Sequence, residues 1–186
     1  MGSSYGWLIT ADERSNLILV NPATRAQIAM PPPETMNNVR LRYTEEGVLD
    51  GYDVLYMDLL SSDFDTETEP YHLTLEEAHF FFYERVDLSC DPSQGNCMVL
   101  RIQLPNSQLS YTRVGDTKWT WIGGKGNCWE YQDILYNNND GLFYGVRGRG
   151  QVDTINLNGP SVEVKVILNP IISYQAHSRY IVQAPW

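Results

Sequence analysis

The side chains that could bind a metal are few and scattered along the chain. The candidate zinc ligands are the histidines His72, His79 and His177 together with Cys90 or Cys97, and the third cysteine of the chain is Cys128. None of the histidines has a partner at the spacing that zinc sites use, and the six residues between Cys90 and Cys97 are not a usual spacing for a structural site. We therefore expect small buried thiols, and we predict no metal and no cofactor.

A pair of carboxylates could hydrolyse a glycosidic bond, with one acting as the acid and the other as the base. Asp116 and Asp133 are the pair that such a glycan-active propeller or sandwich enzyme would use here. The hypothesis requires both carboxylates in one pocket, and nothing in the sequence indicates that they converge. It is kept as an alternative, and no catalytic residue is assigned.

Acidic side chains are concentrated in one part of the chain. Residues 45–91 hold 14 of the 23 acidic residues, and the run DFDTETE contributes four of them: Asp63, Asp65, Glu67 and Glu69. These carboxylates could gather calcium, but the run lacks the glycine and the distant bidentate glutamate of the known calcium loop. We predict a solvated acidic loop, in which Ser61 and Ser62 are candidates for an acid-directed kinase. If this loop binds a partner, that binding should weaken steeply with salt.

Two glycine-rich stretches resemble phosphate-binding loops only superficially. GGKG, around Lys125, is followed by neither Ser nor Thr, and GVRGRG at 145–150 does not have the glycine spacing of a dinucleotide-binding loop. We interpret the second stretch as a turn between strands. Arg147 and Arg149 could then line a contact surface.

The stretch KWTWIGG places Trp119 and Trp121 two residues apart, so both indoles project from the same face of a predicted strand. Large aromatic side chains in such positions either pack between sheets or form an exposed platform for a ligand. We predict packing. Gly123 and Gly124 then end the strand.

Composition limits the possible folds and partners. The chain has 186 residues, of which 42% are apolar and 12% aromatic, with 14 glycines and 10 prolines. These values are typical of a single turn-rich all-β domain spanning residues 1–186. The net charge of −10 argues against a nucleic-acid partner. No apolar run is long enough to cross a membrane, and an odd cysteine count without a glycosylation sequon favours an intracellular location, cytoplasmic or nuclear.

Alternating side chains predict strands through most of the chain. In MVLRIQL, residues 98–104, apolar side chains fall on one face and Arg101 and Gln103 on the other, the pattern of a half-buried strand. One short helix is predicted after Thr74, because Thr74 and Glu77 have the spacing of a capping box. We place this helix, together with the acidic loop, in an insertion between blades at residues 58–90.

A weak internal repeat relates two parts of the chain. The segment from Gly6 to Asn21 aligns with that from Gly141 to Asn156, and each copy is predicted to alternate strands and turns. Repeated sheets of about four strands are typical of a β-propeller. At this spacing the chain would form a partial propeller of about three to four antiparallel four-stranded blades.

Four stretches together resemble a known family. They are GWLITADERSNLILVNPATRAQIAMPPP at 6–33, the stretch from YERVDLSC to KWTWI at 83–122, YQDILYNNNDGLFYGVRGRGQVDTINLNGP at 131–160, and YIVQAPW at 180–186. In this order they resemble the plant F-box-associated, KIB-type (kelch-like) β-propeller domains, a family of unknown function. The resemblance implies a substrate-recognition module of a ubiquitin ligase. Because no F-box precedes Gly6, binding to the Skp1 adaptor is expected only of a longer form.

The expected function is therefore a non-enzymatic protein-interaction module. The partner protein and the residues that bind it are unknown from the sequence, and neither nucleic acid nor membrane is expected as a partner. A further alternative is a truncated, non-functional gene copy. An open propeller leaves strand edges and apolar blade faces uncovered, so such a copy should aggregate or oligomerise.

Overall fold

A computed structural model of the chain describes residues 2–57, 64–65, 69–123, 130–171 and 178–183. Its strands form three four-stranded sheets, one three-stranded sheet and one two-stranded ribbon, all antiparallel. Within each of the larger sheets, hydrogen-bonded neighbours follow one another in chain order. This is the meander of propeller blades, so the predicted partial β-propeller is confirmed, with one blade of three strands.

The first sheet contains the strands β1 (Ser3–Ser4), β2 (Trp7–Ala11), β3 (Leu17–Val20) and β4 (Gln27–Ala29). Alternate side chains of β2 and β3 are buried, among them Trp7 and Leu19, while Leu8 on the opposite face is exposed. The Trp7 indole N–H donates to Asp91, in the loop at 89–97, at 2.9 Å. The buried face of this sheet therefore packs towards the rest of the protein.

The second sheet contains β5 (Val39–Tyr43), β6 (Leu49–Val54) and β9 (Tyr71–Thr74), and β7 (Tyr56–Met57) pairs with β8 (Phe64–Asp65) beside it. The helix α1 (Leu75–Phe82) follows β9 directly. Thr74 and Glu77 form the predicted capping box, with the Glu77 N–H donating to Thr74 Oγ1 at 3.2 Å. The predicted insertion at 58–90 contains β9, which is a strand of the second sheet.

The third sheet contains β10 (Arg85–Leu88), β11 (Met98–Gln103), β12 (Gln108–Arg113) and β13 (Thr120–Ile122). All six residues of β11 are buried. The prediction of a half-buried strand was therefore wrong, because other elements cover both faces of this sheet. Arg101 and Gln103, on the face predicted to meet solvent, lie inside the protein.

The fourth sheet contains β14 (Tyr131–Asn137), β15 (Leu142–Arg147), β16 (Val152–Asn156) and β17 (Glu163–Leu168). The repeat seen in the sequence corresponds to equivalent hairpins, β2–β3 of the first sheet and β15–β16 of the fourth. Gly6 and Gly141 precede these hairpins with φ values of 77° and 73°, a backbone conformation that favours glycine. Asn21 and Asn156 end them, and each accepts a backbone N–H from the following turn.

Two clusters of buried apolar side chains hold the sheets together. The larger cluster joins the first, second and third sheets and the end of α1, and includes Trp7, Tyr52, Phe82 and Val99. The smaller cluster joins the third and fourth sheets through residues that include Leu100 and Phe143. The sheets thus contact one another through apolar side chains, and hydrogen bonds such as that from Trp7 to Asp91 add polar contacts between them.

Replacement of the helix cap tests the predicted start of α1. Thr74→Ala removes the acceptor for the Glu77 N–H, so the free energy of unfolding should fall by about 1 kcal/mol in a urea titration. In the Thr74→Ala background, a further Glu77→Ala change should cost less than it costs in the wild type, since the two side chains form one motif. Full additivity of the two changes would contradict the capping box.

Candidate functional site

The candidate zinc ligands do not assemble in the described ranges. No group of three histidine, cysteine, aspartate or glutamate side chains there could hold a metal ion. His72 lies against Asp53, with Nδ1 2.7 Å from the carboxylate, and burial lowers the pKa of His79. Cys97 is a free, buried thiol whose pKa burial raises to about 12, and its sulfur donates to the Cys90 carbonyl at 3.0 Å.

The structure keeps the two carboxylates of the glycan-enzyme alternative apart. Asp116 accepts the Arg113 N–H in the turn after β12, beside the start of β11. Asp133 lies 3.6 Å from Arg85 Nε, and Arg85 pairs with Ile102 near the other end of β11. On β11, Met98 pairs with Arg113 and Ile102 pairs with Arg85. Met98 and Ile102 are four residues apart, which is about 13 Å along a strand. The arrangement argues against a paired acid and base at these positions.

Several other residues that the sequence analysis considers lie outside the described ranges. They are Ser61, Ser62, Asp63, Glu67, Gly124, Lys125, Cys128 and His177. Of the remaining acidic candidates, the backbone of Asp65 belongs to β8, and Glu69 lies 3.8 Å from His72 Nε2. The hypotheses of a calcium loop, a kinase site and a salt-sensitive contact therefore remain predictions.

Residues 2–6, GSSYG, match the G-x-S-x-G pattern of a nucleophile elbow, in which a serine occupies a sharp turn between a strand and a helix. Here Ser4 lies on the strand β1, and its hydroxyl donates to Asp87 at 3.3 Å. The local structure is thus not that of an elbow, and the contact instead joins the first sheet to the third.

A concave site lies where the ends of the third and fourth sheets meet, and we name it the blade cleft. Its volume is about 510 Å³, and its lining includes Glu84, Arg85, Glu130, Tyr131, Arg149 and Tyr180. The side chains come from the start of β10, the residues before and at the start of β14, the turn between β15 and β16, and the segment 178–183. No single stretch of sequence contains this set, so sequence patterns could not identify it.

A buried ion pair lies next to the blade cleft and contacts one of its lining residues, Tyr131. Arg147 donates through Nε to Asp153 Oδ2 at 2.7 Å, and the Tyr131 hydroxyl donates to the same oxygen at 2.7 Å. Gln151 donates to the other carboxylate oxygen at 2.8 Å. A charged pair can remain buried when its hydrogen-bonding groups are satisfied in this way. The network fixes Tyr131, which is also one of the residues that line the cleft.

The two arginines of GVRGRG have different environments. Both were predicted as candidates for a contact surface, but Arg147 is buried in the ion pair with Asp153. The prediction was therefore wrong for Arg147, because this carboxylate on the adjacent strand holds it inside. Arg149 lies in the turn at 148–151 and lines the blade cleft, as a contact-surface residue would.

The rim of the blade cleft carries an exposed aromatic ring and charges of both signs. Tyr180 is 63% exposed, and the Arg85 guanidinium lies 5.7 Å from the centre of its ring. Glu84 accepts the Ser107 hydroxyl at 3.0 Å, which orders that carboxylate at the cleft. The cleft therefore presents an aromatic surface beside cationic and anionic groups.

The tryptophans of KWTWIGG also differ from each other. Trp119 is buried, and its indole N–H donates to the Pro31 carbonyl at 2.7 Å, so packing between sheets is confirmed for this residue. Trp121 is half-buried and lines a second, smaller cavity together with Trp119. The fully buried Arg101 lies against Trp119, with the guanidinium 3.7 Å from the ring centre. The alternating pattern of β11 indicated the face of Arg101 but not its burial.

The ion pair beside the cleft can be tested by removing its charge. Asp153→Asn leaves the Arg147 guanidinium buried without a counter-charge, so the free energy of unfolding should fall by about 3 kcal/mol in a urea titration. The double variant Arg147→Met/Asp153→Asn removes the orphaned cation and should be more stable than Asp153→Asn alone. Equal stabilities of the single and double variants would show that the pair is not a coupled unit.

Comparison with protein families gives a match over nearly the whole chain. The model described as "KIB1-4 beta-propeller" matches residues 1–184. No curated protein and no solved structure gives a match. In the described part of the chain, no helix has both the length and the apolar character needed to cross a membrane. The sheets, their order and the extent of the family match agree, and the chain belongs to the KIB1-4 β-propeller family.

Proposed function

We propose that the protein is a non-enzymatic protein-interaction module that binds a polar peptide segment of its partner in the blade cleft. The observation that carries this proposal is the cleft itself, about 510 Å³ in volume and built from loops of two adjacent blades. Concave sites of this size hold ligands, and loops supported by rigid sheets commonly carry binding residues. A peptide segment suits a cleft whose walls come from several chain segments.

The chemistry of the lining defines the kind of peptide. Arg85 and Arg149 offer cationic groups, and Glu84 and Glu130 offer carboxylates, so charged side chains of either sign can be matched. Tyr180 adds an exposed aromatic surface. Tyrosine and arginine are frequent among the residues that dominate binding energy. A segment that contains both an acidic and a basic side chain fits this arrangement best.

The propeller family and the free cysteines support this class of function and an intracellular setting. The narrower role is recognition of substrates for a ubiquitin ligase, which requires an F-box that docks on the Skp1 adaptor. Intact-mass and N-terminal peptide measurements on the endogenous protein test that role. A longer product that begins with an F-box would support it, and a product that begins at Met1 would remove it.

The binding site can be tested with peptides selected by display against the wild-type protein. Tyr180→Ala and Arg149→Ala should each weaken the binding of the selected peptides at least tenfold in a calorimetric titration, because each removes an anchor at the cleft. The peptides should also compete with one another for the protein.

Tyr43→Ala provides the matched control. Tyr43 is 52% exposed and lies on β5 of the second sheet, outside the cleft lining, so its loss should leave affinity unchanged. Selected peptides that bind the Tyr180→Ala and Arg149→Ala variants as tightly as the wild type would place the interaction elsewhere.

A further inference from the structure

Two cysteines face each other where the antiparallel strands β10 and β11 separate. Beyond the last paired residues of these strands, the Ser89 N–H donates to the Met98 carbonyl at 2.9 Å. The Met98 N–H in turn donates to Ser89 Oγ at 2.8 Å. One further residue in the same register places Cys90 opposite Cys97.

The register of this cysteine pair suits a disulfide. In antiparallel strands, hydrogen-bonded residue pairs alternate with non-hydrogen-bonded pairs, whose Cα atoms are about 4.5 Å apart. Because Ser89 and Met98 form a hydrogen-bonded pair, Cys90 and Cys97 occupy the non-hydrogen-bonded position that follows. Disulfides join residues whose Cα atoms are about 4.4 to 6.8 Å apart. The backbone therefore holds the two cysteines at a distance that one S–S bond can span.

The side chain of Cys97 is directed towards Cys90. Its sulfur donates to the Cys90 carbonyl oxygen at 3.0 Å. Burial raises the pKa of the Cys97 thiol to about 12, and the side chain of Cys90 contributes to the rise. Both cysteines are free thiols in the structure. The two thiols are thus close enough to influence each other's ionisation.

Solvent exposure differs between the two cysteines and sets the order in which they react. Cys97 is fully buried, whereas Cys90 is partly exposed. The thiolate is the form that attacks a disulfide, and the reaction also requires access to it. A small-molecule disulfide in solution therefore reacts first at Cys90. Cys97 takes part only through the neighbouring Cys90 sulfur.

We propose that Cys90 and Cys97 are a reversible modification site, at which a small-molecule disulfide oxidises the two thiols to one intramolecular disulfide. The Cys90 thiolate attacks one sulfur of the small disulfide, which forms a mixed disulfide and releases one small thiolate. That thiolate takes the proton of the Cys97 thiol, and the Cys97 sulfur attacks the Cys90 sulfur. The second small thiolate then leaves and is protonated by the proton that Cys90 lost. Two protein thiols are thus oxidised, and one small disulfide is reduced to two thiols.

The disulfide would close the base of a loop that joins two blades. Within this loop, Asp91 accepts the Trp7 indole N–H of the first sheet at 2.9 Å. At its base, the Ser89 carbonyl accepts the Tyr5 hydroxyl at 3.3 Å. The bond would therefore hold the third sheet's loop in the conformation that contacts the first sheet. Arg85 and the blade cleft lie at the other end of β10, so this site is separate from the proposed peptide site.

Equilibration in glutathione buffers tests this proposal on the full chain. Cys128→Ser leaves Cys90 and Cys97 as the two remaining thiols, because the chain has three cysteines. As the ratio of glutathione disulfide to glutathione rises, this variant should become about 2 Da lighter and lose both alkylatable thiols. Peptide mapping should find Cys90 linked to Cys97, in this variant and in the wild-type chain. The midpoint of urea unfolding should move to a higher concentration on oxidation and return with dithiothreitol, since the bond restricts the unfolded chain.

Single-thiol variants provide the matched controls. Cys97→Ala/Cys128→Ser keeps the partly exposed Cys90 and should stop at the mixed disulfide with glutathione. Cys90→Ser/Cys128→Ser keeps the buried Cys97 and should remain unmodified, with a urea midpoint that does not depend on the buffer. A Cys128→Ser protein that stays reduced at every ratio, retains glutathione on Cys90 or links two chains would overturn the proposal. An intramolecular bond that leaves the urea midpoint unchanged would overturn its role in holding the loop.

Discussion

The leading strands of three blades meet at one carboxylate, Asp87 on β10. The Tyr136 N–H on β14 donates to Asp87 at 2.7 Å, the Ser4 hydroxyl on β1 donates at 3.3 Å, and the Leu88 N–H donates at 2.9 Å. Burial raises the pKa of this carboxyl, although the three donors oppose the rise. None of these donors carries a positive charge, so the carboxylate is stabilised by three neutral hydrogen bonds. The bond from Tyr136 holds β14 against β10, and residues of both strands line the blade cleft.

Two arginines are buried, and their charges are stabilised in different ways. Arg147 pairs with Asp153 and shares that carboxylate with Tyr131, so the charge and its hydrogen bonds are satisfied within one sheet. Arg101 has aromatic faces around it, and burial lowers its pKa to about 10. Cation–π contacts offset part of the cost of desolvation but do not accept hydrogen bonds. Arg147 thus has a carboxylate as its hydrogen-bond acceptor, whereas Nε and Nη1 of Arg101 have no hydrogen-bond partner among the described residues.

Local patterns predicted the elements well, but they did not predict how the blades cover one another. The capping box of Thr74 and the repeat that relates Gly6 to Gly141 depend on neighbours within a few residues, and both correspond to the structure. The burial of Arg101 depends on which element covers its face, and period-2 alternation contains no information about that. The blade cleft requires residues as distant as Glu84 and Tyr180 to meet. Such convergence follows from the arrangement of the sheets, not from spacing.

The hydrogen bonds that join the blades connect very distant parts of the chain. Trp7 and Asp91 are 84 residues apart, Trp119 and Pro31 are 88 apart, and Tyr5 donates to Asn138 across 133 residues. Within each sheet, by contrast, strands pair with sequence neighbours, apart from the step from β6 to β9. Closing long loops is slow and costs entropy before contacts repay it. Each meander should therefore form early in folding, and the docking of completed sheets should limit the folding rate.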